Sequence, residues 1–247
     1  MEATGTAPDI RILEDDDEVA RAAANYFVDL ALRSISNVGR FSVVLSGGST
    51  PRRAYELLAT EDYRSRIAWP QVHFFFGDER CVPVTDATSN YRMAHEAMIS
   101  LLPIPKRNIH RIVGEGDAVA NASLYQSDLQ TFFDDAPWPR FDLVLLGMGD
   151  DGHTASLFPG TPALNERNAW VLANWVEKLN AYRITLTAPA INQAANVLFL
   201  VTGAGKAKAL LRVLRGARDP QKLPAQLIQP SNGSLLWFVD EAAARDL

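Results

Sequence analysis

The chain has a single cysteine, Cys81, among its 247 residues. An internal disulfide is therefore impossible, and a reducing compartment is the simpler setting. Histidine is almost as sparse. His73, His95, His110 and His153 show no H-x-x-x-H or comparable spacing, so no metal centre is expected. Net positive charge is missing too: the formal charge is −5 and the pI about 5.4. That argues against a nucleic-acid coat, which needs a basic stripe. A local basic pocket for a small anion remains compatible with an acidic surface. No run approaches the roughly 18 consecutive apolar residues of a membrane span. The opening MEATGTAPDIRILEDDDE has no basic flank leading into an apolar stretch, so no signal peptide is expected either. The protein reads as soluble and cytoplasmic. It has no internal repeat, low-complexity tract or long linker, which favours one compact unit over residues 1–247.

What is present is apolar mass, 47% of the residues, enough for a sizeable core. Short β-rich runs alternate with helical patterns, the signature of an α/β protein whose parallel sheet is covered by helices. Asp17 is expected to cap a first helix whose apolar face uses Val19, Ala23, Tyr26, Phe27 and Leu30. FSVVLS (41–46), VHFFFG (72–77), FDLVLLG (141–147), NVLFLVTG (196–203) and SLLWFV (234–239) read as strands, the first of these being the earliest clear one. Pro51 suits a first helical position after Ser49 or Thr50. Helices are expected from near Ser89, over 118–133 behind Asp117, and over AGKAKALLRVLRG to Gly216. DERCVPVTDATSN reads as a polar loop and PIPKRNIHRIVGEGD as irregular. AWVLANWV and YRITLTAPAI alternate like antiparallel strands, an embellishment near 160–190.

Several strand ends carry chemistry. LSGGSTP runs a strand into Gly47, Gly48, Ser49 and Thr50 and then a helix, which aims N–H groups and hydroxyls at one point. This suits a phosphate; the alternative is a glycine turn with a capping hydroxyl. It lacks the lysine of a nucleotide P-loop, so ATP and GTP are not indicated. FFFGDERC places Asp78, Glu79 and Arg80 at a strand's carboxyl end, where open α/β sheets bind ligands, unless this is only a solvated loop. Cys81 beside Arg80 could be a nucleophile, but a lone cysteine more often packs as a small hydrophobe. In FDLVLLGMGDDGHTASLFPG the glycines spell G-x-G-x-x-G, yet Asp150 and Asp151 would repel a pyrophosphate. Asp151 and His153 instead suit a carboxylate orienting an imidazole, a side chain whose ordinary pKa of about 6.5 makes it a base near neutrality. Arg183 sits in an otherwise apolar alternation. Lys206 opens a helix against the dipole, a conflict that a bound phosphate would remove.

LSGGSTP, FGDER, GMGDDGHTASLFPG and VTGAGKA follow one another in an order that resembles the 6-phosphogluconolactonases of the pentose phosphate pathway. The resemblance runs from about Asp17 to Val239, and the run around D-G-H is its most specific part. It implies an α/β fold with a Rossmann-like parallel sheet and hydrolysis of 6-phospho-D-glucono-1,5-lactone to 6-phosphogluconate. By the same resemblance His153 is the general base, Asp151 or alternatively Asp78 orients its ring, and Arg80 binds substrate or steadies the oxyanion. Gly47, Gly48, Ser49, Thr50, Arg183 and Lys206 would hold the 6-phosphate. No metal or organic cofactor is implied. The expected partner is a small phosphosugar lactone, with no nucleic acid and no membrane, and the expected state a monomer, weak self-association being the alternative. The related glucosamine-6-phosphate deaminases share the glycine cradle and the D-G-H turn, but are expected to carry a glutamate seven residues after that aspartate. Phe158 stands there instead. Other phosphosugar isomerases or mutases, and a non-catalytic sugar-phosphate binding domain, are the remaining readings.

Overall fold

FSVVL and VHFFF are buried at nearly every position in the computed structural model, which describes residues 9–247. A strand with no solvent-facing side needs cover on both faces, and helices packed on a parallel sheet supply it. In chain order the elements are β1 (Asp9–Leu13), α1 (Asp16–Val38), β2 (Phe41–Leu45), α2 (Ser49–Leu58), α3 (Glu61–Arg64), β3 (Val72–Phe76) and β4 (Asp78–Arg80). They continue with α4 (Asn90–Ala97), α5 (Ala118–Phe132), β5 (Leu143–Leu146), β6 (Val171–Val176), β7 (Ala181–Leu186) and α6 (Ala188–Ile191). The last are β8 (Asn196–Val201), α7 (Ala207–Arg215), β9 (Ser234–Asp240) and α8 (Glu241–Ala244).

Six strands form one parallel sheet in the order β1-β9-β8-β5-β2-β3. The chain steps outward from β2 to β3 and later returns to β5 on the other side of β2. The switch point, where loops diverge and leave a crevice, therefore lies between β2 and β5. A three-stranded antiparallel sheet, β4-β7-β6, stands beside the carboxyl end of β3. The core between sheet and helices includes Phe27, Phe41, Trp69, Phe74 and Trp237, all but fully buried, with Phe199 stacked on Trp237 at 3.8 Å. Among the described residues no helix is long and apolar enough to cross a membrane.

The helix start near Ser89 and the cap at Asp117 are as expected, and each of the two side chains accepts a backbone N–H three residues on. Elsewhere the structure differs. Asp15, not Asp17, caps α1 by accepting from the amide of Glu18, and Asp17 pairs with Arg53. A run of acidic residues offers several caps of equal quality, so only the backbone decides. β1 had no signal in the sequence because it is a sheet edge whose five residues are all exposed or half-exposed. Asp78–Arg80 is a strand and not part of a loop, since β7 supplies its ladder; three residues are too few to show a period. YRITLTAPAI is a strand only to Leu186, after which Thr187 caps the short helix α6. Pro51 lies at the third helical position instead of the first, because Gly48 is the N-cap.

Candidate active site

Four loops leave the carboxyl ends of β2, β3, β5 and β8, which are adjacent in the sheet, and meet over the switch point. Residues 46–50, Asp78 and Arg80, 147–149 with His153, and Thr202 with Lys206 line one cavity of about 230 Å³. A second cavity of about 300 Å³ adjoins it, lined by Asp150, Asp151, Phe158, Lys178 and Arg183 among others. Asp78, Arg80, His153 and Ala155 border both.

The glycine cradle is built by backbone. Gly48 takes a φ of +112°, which a side chain would resist, and no side chain caps α2. The first amides of the helix thus keep their N–H groups without an intrahelical partner. Pro51 at the third position has no N–H to leave unpaired. Thr50 Oγ1 lies 2.7 Å from Thr202 Oγ1, tying the cradle to the end of β8. A Cβ on Gly47 would overlap the carboxamide of Asn90, so glycine is required there for close approach. Lys206 closes a short turn, Ala204–Lys206, at the N-cap of α7 and makes no ion pair among the described residues.

The histidine is held from several sides. Nδ1 of His153 lies 2.6 Å from Asp151 Oδ1, and the same oxygen accepts the His153 amide at 3.2 Å. Lys178, from the β6–β7 hairpin, donates to Asp151 Oδ2 at 3.2 Å. Burial pushes the Asp151 carboxyl up, but the bonds from His153 and Lys178 outweigh it, and the net shift is below the usual carboxylate range. A Cβ on Gly149 would overlap Nδ1 and Cε1 of the imidazole, and Gly152 has a φ of +80° against Leu223. Two of the three glycines of G-x-G-x-x-G thus serve the histidine turn, and the dinucleotide reading falls. The ring of Phe158 stacks on His153 with centroids 4.1 Å apart and planes 22° from parallel.

The question of which aspartate meets His153 has a geometric answer in Asp151. Asp78 is bound elsewhere: Oδ1 accepts from Asn90 Nδ2 at 3.0 Å and Oδ2 from Ser156 Oγ at 2.6 Å. Glu79 faces away from the cavities, accepting the amides of Arg80, Asn90 and Tyr91 and the Ser89 hydroxyl at 2.7–3.1 Å. It pins β4 to the start of α4, and burial pushes its carboxyl up. Arg80 donates to the Thr88 carbonyl and keeps a buried Nε without a partner among the described residues. Arg183 is paired in register with Arg80 across β4 and β7. Burial first, then the charge of Arg80, pushes its pKa down. Arg183 lines the second cavity, so the expected phosphate set is divided: the cradle and Lys206 on one side of His153, Arg183 on the other. Cys81 lines neither cavity, and burial pushes its thiol up, which removes the case for a nucleophile.

Asn90, Ser156 and Lys178 were not singled out in the sequence as partners of the site, and Glu79, singled out with Asp78 and Arg80, serves the fold instead. Ser156 lies inside the D-G-H run and could have been weighed with it. Asn90 and Lys178 gave no signal, because their importance depends on elements meeting across the fold.

A cradle and a histidine–carboxylate pair at the switch point of a parallel sheet define a class, the α/β proteins that gather their ligand site at the carboxyl edge. Comparison narrows it. The family described as glucosamine-6-phosphate isomerases/6-phosphogluconolactonase matches residues 14–237. The chain is 40% identical to a 6-phosphogluconolactonase of Synechocystis sp., covering 98% of this chain and 99% of the relative. It is 39% identical to one of Nostoc sp., covering 96% and 98%. The solved 6-phosphogluconolactonase of Trypanosoma brucei superposes with a TM-score of 0.87 at 29% identity, over 99% of this chain and 100% of that one. The chain belongs to the glucosamine-6-phosphate isomerase/6-phosphogluconolactonase family.

Proposed function

We propose that this protein hydrolyses 6-phospho-D-glucono-1,5-lactone to 6-phospho-D-gluconate, the lactonase step of the oxidative pentose phosphate pathway. The observation that carries the reading is the 2.6 Å Asp151–His153 contact on the wall shared by the two cavities, beside an anion cradle. With Nδ1 engaged by Asp151, Nε2 is the atom left to take a proton. Water loses a proton to Nε2 as its oxygen bonds to C1 of the lactone. The oxyanion that forms collapses, the C1–O5 bond breaks, and the imidazolium returns its proton to the departing ring oxygen. The new carboxylic acid ionises to solvent. A positioned base of this kind contributes on the order of 10²–10⁴-fold. Arg80 steadies the oxyanion; in support, it borders both cavities and its Nε has no partner among the described residues. The first-turn amides of α2, with Lys206, hold the 6-phosphate, and Arg183 adds positive potential from the far wall.

The same reading takes no metal or organic cofactor. The one group of three potential ligands among the described residues, Asp15, Asp16 and Asp17, is exposed and lines neither cavity. It also takes residues 1–247 as one working unit, a cytoplasmic monomer acting on a free phosphosugar. In support, the apolar core runs without a break from α1 to α8. Light scattering on the purified chain tests the monomer.

Phe158 disfavours the deaminase alternative, because it fills the place of an expected carboxylate with a ring that cannot exchange protons. The deciding experiment generates the lactone in situ from glucose 6-phosphate and follows its loss against the spontaneous rate. Parallel incubation with glucosamine 6-phosphate measures ammonia. Acid release without ammonia, unchanged by chelator, is the expected result; ammonia at a comparable rate would overturn it.

A further inference from the structure

The Asp151 bond fixes one atom of the His153 ring but not its plane, since an imidazole held only at Nδ1 can still tilt about that contact. The ring of Phe158 lies stacked on the imidazole, with centroids 4.1 Å apart. Phe158 is only 8% exposed, yet it stands apart from the contiguous apolar core that takes in most other buried side chains. An ordinary core phenylalanine would belong to that cluster. Phe158 is instead carried back over His153 by a tight turn, with Ala155 at a φ of +47° and Thr154 bridged to Leu157. The turn is braced where the Phe158 carbonyl accepts the amide and hydroxyl of Thr161 at 3.2 and 2.8 Å.

We propose that Phe158 is a positioning residue for His153, holding the imidazole plane so that Nε2 faces the shared wall of the two cavities. The inference rests on the lactonase reading and extends it to a residue outside the reacting set. Asp151 fixes which nitrogen carries the proton, Gly149 leaves room for the ring edge, and Phe158 fixes the direction of the free lone pair. A base aimed wrongly by about 1 Å can lose as much as 10²-fold. Phe158 lines the second cavity but not the cradle, so anchoring of the 6-phosphate by the cradle does not depend on it.

The test compares the parent with Phe158→Leu, which keeps apolar bulk but has no ring face, and Phe158→Tyr, which keeps the face. Lactone hydrolysis gives kcat and KM for each, and thermal unfolding checks the fold. Phe158→Leu is expected to lower kcat by about 10–100-fold with KM within about twofold, a split that marks a loss confined to the transition state. Phe158→Tyr is expected to recover most of kcat. A Phe158→Leu enzyme with parental kcat would overturn the proposal, as would a Tyr variant as slow as the Leu variant. If Phe158→Leu does not fold, Phe158→Met takes its place with the same expectations. A parent without lactonase activity would sink the functional reading itself; an active parent with an equally active Leu variant would sink only the role of Phe158.

Discussion

Asp151 Oδ1 lies 2.6 Å from Nδ1 of His153, while its other oxygen takes the ammonium of Lys178 at 3.2 Å. The carboxylate is thus held between a largely buried ring and an exposed cation. His153→Ala is expected to lower kcat by about 10² or more with a modest change in KM. Asp151→Asn keeps the shape but offers an amide that can pair with either tautomer, so kcat should fall by about 10²-fold or more. The Asp151 carboxyl stays ionised well into acid, its pKa being pushed down on balance. Protonation of Asp151 therefore costs activity only below the usual carboxylate range. Steady-state kinetics with pH profiles check all three statements; near-normal kcat in either variant would remove the pair from the mechanism.

Lys178 is two-thirds exposed, so its pairing with Asp151 is screened by solvent. Lys178→Met removes the second partner of the Asp151 carboxylate and leaves its contact with His153 in place. Loss of an exposed pair should lower kcat by no more than about fivefold. Adding salt should narrow the difference between variant and parent. A loss of kcat as large as that of Asp151→Asn would contradict this.

Arg80 and Arg183 oppose each other in register, a pairing that costs stability until an anion lies nearby. Arg183→Met should therefore unfold no more easily than the parent in the absence of ligand, and with added 6-phosphogluconate should gain less in Tm. Its KM should rise by less than the roughly 1.5–3 kcal/mol of a lost charge-assisted hydrogen bond, since Arg183 lines the cavity opposite the cradle. Calorimetry with and without the product separates these effects. An Arg183→Met protein much less stable than the parent would assign the arginine to the fold instead.

Lys206→Met tests the cradle. With the wild-type chain, unphosphorylated gluconolactone should be a poor substrate. In the variant KM for the phosphorylated lactone should rise, by about 1.5–3 kcal/mol, and the preference over the unphosphorylated one should shrink. Equal turnover of both lactones by the wild-type chain would end the cradle reading of Gly47, Gly48, Ser49 and Thr50.

His73 sits near the amino end of β3, at the opposite edge of the sheet from the cavities, where its ring contacts His110. Burial, then the charges of His110, Arg40 and Arg107, push its pKa down to about 4. The folded protein therefore binds this proton less readily than the unfolded chain, whose histidine titrates near 6.5. The contribution is whole above about 6.5 and is lost as pH falls towards about 4. Melting curves over that interval should show Tm falling with pH, and His73→Gln should flatten the fall while leaving kcat at neutral pH unchanged. A parallel decline in both proteins would show that other groups set the acid stability.

Much of this was legible in the chain alone. Buried strands such as FSVVL and LVLL, the helix start near Ser89, the cap at Asp117, and the glycine turns of 47–48 and 147–152 are local events set by adjacent residues. A strand buried on both faces must be apolar throughout, and a turn with positive φ favours glycine, so each leaves its mark in sequence. The pairing of Asp151 with His153 is local in the same sense, two residues apart. What the tertiary structure decided were contacts between distant segments. It bound Asp78 to Asn90 and Ser156, set Arg80 against Arg183 through two short strands about a hundred positions apart, and brought Lys178 to Asp151 from a hairpin. It also sent Arg183 to the cavity opposite the cradle. Composition and period report what a residue asks of its immediate surroundings, but a charged side chain meets its partner only where the sheet order brings two strand ends together, and that order is a property of the whole packed chain.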